Sequence, residues 1–158
     1  MSSPNVDSSV FLDRLARVRT AMAEHDIDTL LLSVGHDLPY LTGYTAMPLE
    51  RLTMLVVPRD GGATMVIPAL EAPRVREVPG VFDMLPWGET QDPTAIVARL
   101  SAGAKRVAVG DQMWARFLVE LLPQDLVLDL ESLGAQRLRD PHLQLVNLEP
   151  ALGDVIIG

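Results

Sequence analysis

Hydrophobic side chains recur along this chain first at helical spacing and then in a short continuous run. Phe11, Leu15, Val18 and Met22 lie three or four positions apart, which predicts an amphipathic helix over residues ~9 to 25. An apolar run then predicts a strand at ~28 to 33. Helical and strand patterns continue to alternate after this point, which favours an α/β fold.

A hairpin is the clearest local pattern in the chain. Leu52 to Val57 and Thr64 to Ile67 are the predicted strands, and Arg59-Asp60-Gly61-Gly62 supplies the turn between them. Strands alternating with helices predict a sheet that is covered on both faces, and the hairpin makes that sheet mixed. The later predicted elements are a short helix at ~69 to 77 interrupted near Pro73, a strand from Val81 to Trp87, a helix starting at Asp92-Pro93 with Ile96, Val97 and Leu100 buried, a strand from Val107 to Val109, a helix from Met113 to Leu122, a strand from Leu126 to Leu130 and a helix from Ser132 to Arg139.

Composition narrows the class of protein. The chain has 158 residues, 48% of them hydrophobic, which is enough for one domain with a sizeable core. Its 21 acidic and 13 scattered basic residues give a net charge of −8, which argues against nucleic-acid binding. The absence of cysteine excludes disulfides, thiolate catalysis and cysteine-ligated zinc. We find no signal-peptide pattern at the start and no apolar run long enough to cross a membrane, and we expect a cytoplasmic protein.

Candidate chemistry is sparse in this sequence. His25, His36 and His142 show no metal-ligand spacing, and the chain has neither an HExxH segment nor a Gly-x-Ser-x-Gly elbow. Glycine-rich phosphate loops are absent too, because Gly61-Gly62 belongs to the predicted hairpin. The residues themselves therefore predict no catalytic group and no metal site.

One segment carries a recognisable pattern. Asp37-Leu38-Pro39-Tyr40-Leu41-Thr42-Gly43-Tyr44 follows the first predicted strand, and its Pro39 is expected to begin a short helical turn that Gly43 closes. A strand, a polar turn, Tyr-Leu-Thr-Gly and an aromatic residue in this order resemble the amino-terminal domain of the creatinase, prolidase and aminopeptidase P family. Arg139-Asp140-Pro141 is similar to the passage to that family's catalytic domain, so the resemblance covers residues ~10 to 141.

The resemblance implies a fold and a division of labour. It implies a three-layer α/β/α domain with a mixed, ribonuclease-H-like sheet over residues 1–139, followed at 140–158 by a linker or the truncated start of a pita-bread catalytic domain. In the family, two divalent metal ions (Mn, Co or Zn) are held by two Asp, one His and two Glu of that second domain. The resemblance therefore assigns no catalytic residue, no metal ligand and no cofactor to this chain.

Two loop residues are candidate substrate contacts by the same resemblance. In family dimers, loops of this domain reach towards the neighbouring subunit's active site, and Arg51 and His36 occupy such loops. A guanidinium suits a substrate carboxylate because it can bind it through two parallel hydrogen bonds. The alternatives are that Arg51 pairs with Glu50 or with solvent, and that His36 is a solvated loop residue.

Other polar and aromatic residues have plainer interpretations. Asp28, Asp111 and Asp129 flank predicted strands and could suggest a nuclease, but such positions commonly hold turn and capping residues, and an acidic surface repels nucleic acid. Tyr40 and Tyr44 are predicted to be packing residues with a polar tip. Trp87 and Trp114 are predicted to lie in the core or in an interface.

Two hypotheses for function follow. The first is a non-catalytic amino-terminal domain of an Xaa-Pro dipeptidase or aminopeptidase, a homodimer that gates access of proline-containing peptides to a catalytic domain. The second is a free-standing protein-interaction domain with a peptidase-like fold. Neither hypothesis includes nucleic acid or membrane as a partner.

Overall fold

The computed structural model describes residues 8–121 and 144–147, and its elements alternate as the sequence predicts. The strands are β1 (Thr29–Leu32), β2 (Met54–Pro58), β3 (Ala63–Pro68), β4 (Phe82–Trp87), β5 (Arg106–Val109) and β6 (Gln144–Asn147). The helices are α1 (Ser8–Glu24), α2 (Asp37–Thr42), α3 (Pro93–Leu100) and α4 (Ala115–Leu121), with a short 3-10 helix at Ala72–Arg74.

The strands form one mixed sheet in the order β4-β3-β2-β1-β5-β6. β2 runs antiparallel to β3, as the predicted hairpin requires, and it also runs antiparallel to β1. The remaining neighbours, β1 with β5, β3 with β4 and β5 with β6, are parallel. The mixed α/β fold expected from the sequence is therefore confirmed.

Helices cover both faces of the sheet. Leu30 and Leu32 point to a core formed with α1 and α2, whereas Leu31, between them, points to a second core formed with α3 and α4. This alternation follows from the two-residue period of a strand, and it explains why all four residues of β1 are buried. The result is a layer of helices on each side of a central sheet.

Local sequence accounts for the main element ends. The Asp92 carboxylate accepts the backbone N–H groups of Thr94 and Ala95 and so caps α3, whose first residue is Pro93. The Thr94 hydroxyl also donates to this carboxylate, and that bond, followed by the backbone bonds, holds the pKa of Asp92 below its ordinary value. The Arg19 guanidinium donates to the Gly61 carbonyl, which fastens α1 to the hairpin turn.

The structure corrects several details of the sequence interpretation. α2 begins at Asp37 rather than at Pro39. Proline fits the third helical position because the N–H group that it lacks would have no intrahelical partner there. The predicted helix near residues 69 to 77 is only the 3-10 turn at Ala72–Arg74, which contains Pro73. Leu100, predicted to be buried, is 38% exposed because it ends α3.

Towards the end of the chain, the sequence predicts two elements, and the structure describes one strand. The strand predicted at 126–130 and the helix predicted at 132–139 lie outside the described residues. β6 lies at Gln144–Asn147, a stretch to which the sequence analysis assigns no strand, and pairs with β5 through Gln144 opposite Arg106.

Candidate functional site at the carboxyl edge of the sheet

Loops gather at the end of the sheet where β1, β3, β4 and β5 finish and β2 begins, which we call the carboxyl edge. The register of the antiparallel pair places Leu32, at the end of β1, opposite Leu55, near the start of β2. Residues 33–36, 43–53, 69–71, 88–91 and 110–114 therefore all emerge at this edge. Both sequence-predicted site residues lie in these loops.

The connection from α2 to β2, residues 43–53, passes over the carboxyl edge from one face of the sheet to the other. Ala46 is buried in the core shared with α1 and α2, whereas Leu52 is buried in the core shared with α3. The part between these anchors is exposed and carries two apolar side chains, Met47 (52% exposed) and Leu49 (42%). Leu70, which follows β3, is 73% exposed.

Arg51 lies on this crossing segment and is paired with a carboxylate that is distant in sequence. Its Nη1 atom is 2.6 Å from Oε1 of Glu89, which lies in the loop after β4. The structure thus gives Arg51 a partner other than the Glu50 or solvent considered from the sequence. Both side chains remain open to solvent, which leaves the guanidinium within reach of a ligand.

The loops on either side of this ion pair are fixed to each other. The buried indole of Trp87 donates from Nε1 to the Leu52 carbonyl at 2.9 Å. The Gly88 N–H donates to the Gln91 side chain at 2.7 Å, which closes the turn that bears Glu89. The separation of Arg51 and Glu89 is therefore set by bonds one or two residues away from each.

His36 stands at the other candidate position, in the loop after β1. It occupies the residue before α2, is exposed, and makes no capping hydrogen bond with its side chain. The preceding Gly35 has φ +145° and lies so close to the loop after β5 that a Cβ there would be 3.3 Å from the Cβ of Gln112. Ser33 donates to the Thr53 carbonyl at 3.1 Å, so His36 and Arg51 extend from neighbouring, connected strand ends.

The Tyr-Leu-Thr-Gly segment stabilises the local structure and is not a reactive site. The Thr42 hydroxyl donates to the Leu38 carbonyl at 2.6 Å and accepts the Tyr44 N–H at 3.1 Å. Gly43 has φ +72°, and its N–H donates to the Pro39 carbonyl at 2.8 Å, which ends α2 in the left-handed conformation that glycine favours.

The same segment holds α2 against α1 through an arginine. The Arg14 guanidinium lies 4.2 Å from the ring centroid of Tyr40 and 5.6 Å from that of Phe11, and it donates to the Tyr40 carbonyl at 2.8 Å. A Cβ on Gly43 would come within 3.0 Å of the Phe11 ring. Tyr40 and Tyr44 both pack against the core, as predicted.

Tyr44 is partly withdrawn from water. Burial raises the pKa of its phenol, and the nearby Glu71 carboxylate raises it further. The hydroxyl therefore stays protonated at neutral pH and can serve as a hydrogen-bond donor beside the loop after β3.

The conspicuous carboxylate Asp28 has a structural role at the opposite end of the sheet. It accepts the backbone N–H groups of Arg106 and Lys105 at 3.0 and 2.8 Å, and it pairs with Arg59 at 3.2 Å. These backbone bonds, more than the arginine, hold its pKa below the ordinary value. Asp111 lies instead at the carboxyl edge, and Asp129 is outside the described residues.

Neither a metal cluster nor a membrane span is found within the described part of the chain. No group of three or more His, Asp or Glu side chains there could hold a metal ion, so these residues do not fit a dinuclear metal site. No helix among the same residues is long and apolar enough to cross a bilayer.

Sequence reasoning missed Glu89. The residue lies 38 positions from Arg51, so no local pattern links the two. The two residues meet because β2, β3 and β4 are neighbours in the sheet, so that the loop after β4 returns to the end where β2 begins. Only the parallel pairing of β3 with β4, which the hydrophobic pattern does not specify, places the two loops together.

The architecture defines a class of protein: an α/β domain with a mixed sheet, two helical layers and solvent-exposed loops at the carboxyl edge. A family model described as the creatinase/prolidase N-terminal domain matches residues 14–139. The chain belongs to this family, as its Tyr-Leu-Thr-Gly segment suggested.

Two relatives of this chain are dipeptidases. The probable dipeptidase PepE of Mycobacterium tuberculosis is 33% identical over 125 residues, which cover 77% of this chain and 33% of that protein. The crystal structure of dipeptidase PepE from Mycobacterium ulcerans has a TM-score of 0.73 and 28% identity, covering 94% of this chain and 37% of that one. The chain thus spans about a third of the length of these relatives.

A third similarity concerns the fold alone. The creatinase/prolidase N-terminal domain of an X-Pro dipeptidase from Streptococcus pyogenes has a TM-score of 0.68 at 19% identity, and the match covers 90% of this chain and 98% of that one. A domain of this size and topology has therefore been solved without a larger polypeptide around it.

Proposed function

We propose that this chain is the non-catalytic amino-terminal domain of a metal-dependent Xaa-Pro dipeptidase or aminopeptidase, and that it acts in dimerisation and substrate gating. The observation that carries the proposal is the match of the whole domain to only a third of the PepE dipeptidases. Peptide hydrolysis would then depend on a catalytic domain that holds two divalent ions (Mn, Co or Zn), with proline-containing peptides as substrates and the cytoplasm as the compartment.

The gating role is proposed for the loops of the carboxyl edge. Arg51 and His36 are both exposed there, on connected strand ends, and the apolar side chains of Met47, Leu49 and Leu70 surround the same edge. An edge of this composition suits contact with another protein surface, because its apolar groups gain by burial. We propose that it faces the active site of a neighbouring subunit, where Arg51 would bind a substrate carboxylate and His36 would line the entrance.

The division of the chain follows from the same proposal. Residues 1–139 would make up the domain, and residues 140–158 would lead into the catalytic domain. The match of the family model, which ends at residue 139, supports this boundary.

Turnover measurements test the proposal directly. The purified chain, incubated with Xaa-Pro dipeptides and with Mn²⁺, Co²⁺ or Zn²⁺, is expected to hydrolyse nothing and to bind none of the metals stoichiometrically. Turnover, or tight binding of one or two metal ions per chain, would contradict it. A chain extended through the reading frame beyond codon 158 is expected to gain both properties if that frame supplies two Asp, one His and two Glu.

A free-standing interaction domain is the second candidate. The exposed apolar side chains at the carboxyl edge favour it, since they suit any protein partner. The reading frame after codon 158 distinguishes the two candidates. A stop codon directly after codon 158, with no catalytic domain, would support the interaction domain and exclude the first proposal.

A further inference from the structure

The ion pair between Arg51 and Glu89 joins two segments that are far apart in sequence, as the pairs of Arg59 with Asp26 and Asp28 do at the opposite end of the sheet. Arg74 with Glu71 and Arg116 with Glu120 are pairs within one helical turn. Arg51 and Glu89 belong instead to two loops separated by a whole strand, and they meet above the end of β3. Such a pair forms only because the backbone brings the two loops together.

The backbone holds Arg51 in place independently of Glu89. Leu52, the next residue, is buried, and its carbonyl accepts the indole N–H of Trp87. The Gly88–Gln91 turn is closed by its own two hydrogen bonds, from Gly88 N–H to the Gln91 side chain and from Gln91 N–H to the Gly88 carbonyl at 3.0 Å. Loss of the Glu89 charge should therefore leave both loops where they are.

The contact between Arg51 and Glu89 is weak, and it uses only part of the guanidinium's capacity to bind a carboxylate. One oxygen of Glu89 meets one nitrogen of Arg51, and the two side chains are 71% and 41% exposed. A guanidinium can offer a carboxylate two parallel N–H donors, which is the stronger arrangement. An external carboxylate that binds through both oxygens can therefore replace Glu89, whose pairing at an exposed site changes an equilibrium by a factor of roughly one to five.

We propose that Glu89 is a specificity-determining residue that occupies the Arg51 guanidinium until a ligand carboxylate displaces it. Glu89 competes with the ligand for the guanidinium. A ligand with a free carboxylate can displace it, whereas a ligand without one leaves the ion pair intact. The ligand class is a small peptide or amino acid with a free terminal carboxylate. This inference rests on the proposed function, in which Arg51 binds the carboxylate of a ligand. It adds that Glu89 competes for the same guanidinium.

Titration of the isolated chain tests the competition, at a concentration low enough for sedimentation velocity to show monomers, so that the carboxyl edge is open to the ligand. The probe is glycyl-proline, with glycyl-prolinamide as the matched ligand that lacks the carboxylate, and the signals are the backbone amides of Leu52 and Gly88 in ¹⁵N spectra. We expect saturable, weak binding of glycyl-proline and an affinity about two- to fivefold higher for Glu89→Gln, because the competing charge is gone. Glu120→Gln, the same change at the Arg116 pair on α4, should leave the affinity unchanged.

A double-mutant cycle shows whether the effect acts through Arg51. In Arg51→Gln, binding of glycyl-proline should be lost, and adding Glu89→Gln should not restore it. Equal affinity in the wild type and Glu89→Gln, equal binding of the amide, or no saturable binding in Glu89→Gln would overturn the inference. These outcomes leave the proposed domain role standing, because that role is tested by turnover and metal binding in the extended chain.

Discussion

Asp28 joins three chain segments at the amino end of β1. Its carboxylate receives two backbone N–H groups from the start of β5 and lies beside Arg59, which follows β2. The bonds to Lys105 and Arg106 exist only in the folded chain, and they favour the charged form. The pKa of Asp28 is therefore lower in the folded state than in the unfolded state.

We predict that Asp28→Asn lowers the free energy of unfolding by about 1–2 kcal/mol at pH 7, since charge-assisted hydrogen bonds are replaced by neutral ones. A depressed folded pKa contributes stability above the unfolded pKa and loses it as the pH falls through the folded value. The difference between the wild type and the variant should therefore shrink below about pH 4. Urea unfolding at several pH values measures it.

Asp60→Asn is the matched control for this prediction. Asp60 also neighbours Arg59, but at 3.9 Å and with a side chain that is 96% exposed. Exposed pairs of this kind contribute little, so the control should unfold like the wild type at every pH. A variant of Asp28 that matched Asp60→Asn at pH 7 would show that the backbone bonds do not stabilise the fold.

The sequence allows the positions of some residues to be predicted, but not their partners. Arg51 and His36 could be selected through the family resemblance, which points to loops next to predicted strands, and the structure places both at the carboxyl edge. The partner of Arg51 could not be selected, because it depends on strand order. Asp28 could be recognised as a strand-flanking carboxylate, but its hydrogen bonds come from residues 77 and 78 positions away.

At the level of elements, β4 is fastened to β2 across the intervening β3. Trp87 ends β4, is 9% exposed, and donates its indole N–H to the carbonyl of Leu52, a residue that is itself buried. β4 and β2 are not neighbours in the sheet, so this bond supplements the ladder of β3. It also fixes the loop that presents Arg51.

We predict that Trp87→Phe lowers the free energy of unfolding by about 2–3 kcal/mol, because the buried Leu52 carbonyl loses its donor and the smaller ring leaves a gap. Thermal unfolding followed by circular dichroism measures the loss. Trp114→Phe is the control: Trp114 is 37% exposed and stacks on Phe117, a contact that phenylalanine retains. Similar destabilisation in both variants would argue against the bond to Leu52.

Elements with strong periodicity were predictable, and short ones were not. α1 and the hairpin strands follow clear hydrophobic patterns, and the structure confirms them within a few residues. The turn at Ala72–Arg74 is too short for periodicity to show, and Ala72 and Val75 at its two ends pack in the core formed with α1 and α2. β6 has no pattern of its own that distinguishes it from a linker, since its strand conformation comes from pairing with β5.

The whole molecule combines a high proportion of hydrophobic residues with a net charge of −8. Two cores, one on each face of the sheet, account for most of the buried apolar side chains in the described residues. The fold class could be predicted because alternating elements and a hairpin allow few arrangements. The function could not be reached from the composition, because the candidate contacts lie in loops and the proposed chemistry would belong to a catalytic domain.

Self-association is the prediction that belongs to the whole molecule. The proposed dimer would cover the exposed apolar side chains of the carboxyl edge, of which Leu70 is the most exposed. We predict that the chain sediments as a dimer and that Leu70→Ser raises its dissociation constant by on the order of 100-fold. In a two-fold dimer the change removes about 1.5 kcal/mol of apolar burial at each of two equivalent positions.

Val119→Ser provides the comparison, because Val119 is 56% exposed on α4, away from the carboxyl edge. This variant should keep the wild-type dissociation constant, and circular dichroism should show both variants folded. Sedimentation velocity over a range of concentrations distinguishes the outcomes. A wild-type monomer at every concentration would remove dimerisation from the proposed function, whereas a loss of dimer in Val119→Ser but not in Leu70→Ser would place the interface at the α3–α4 face.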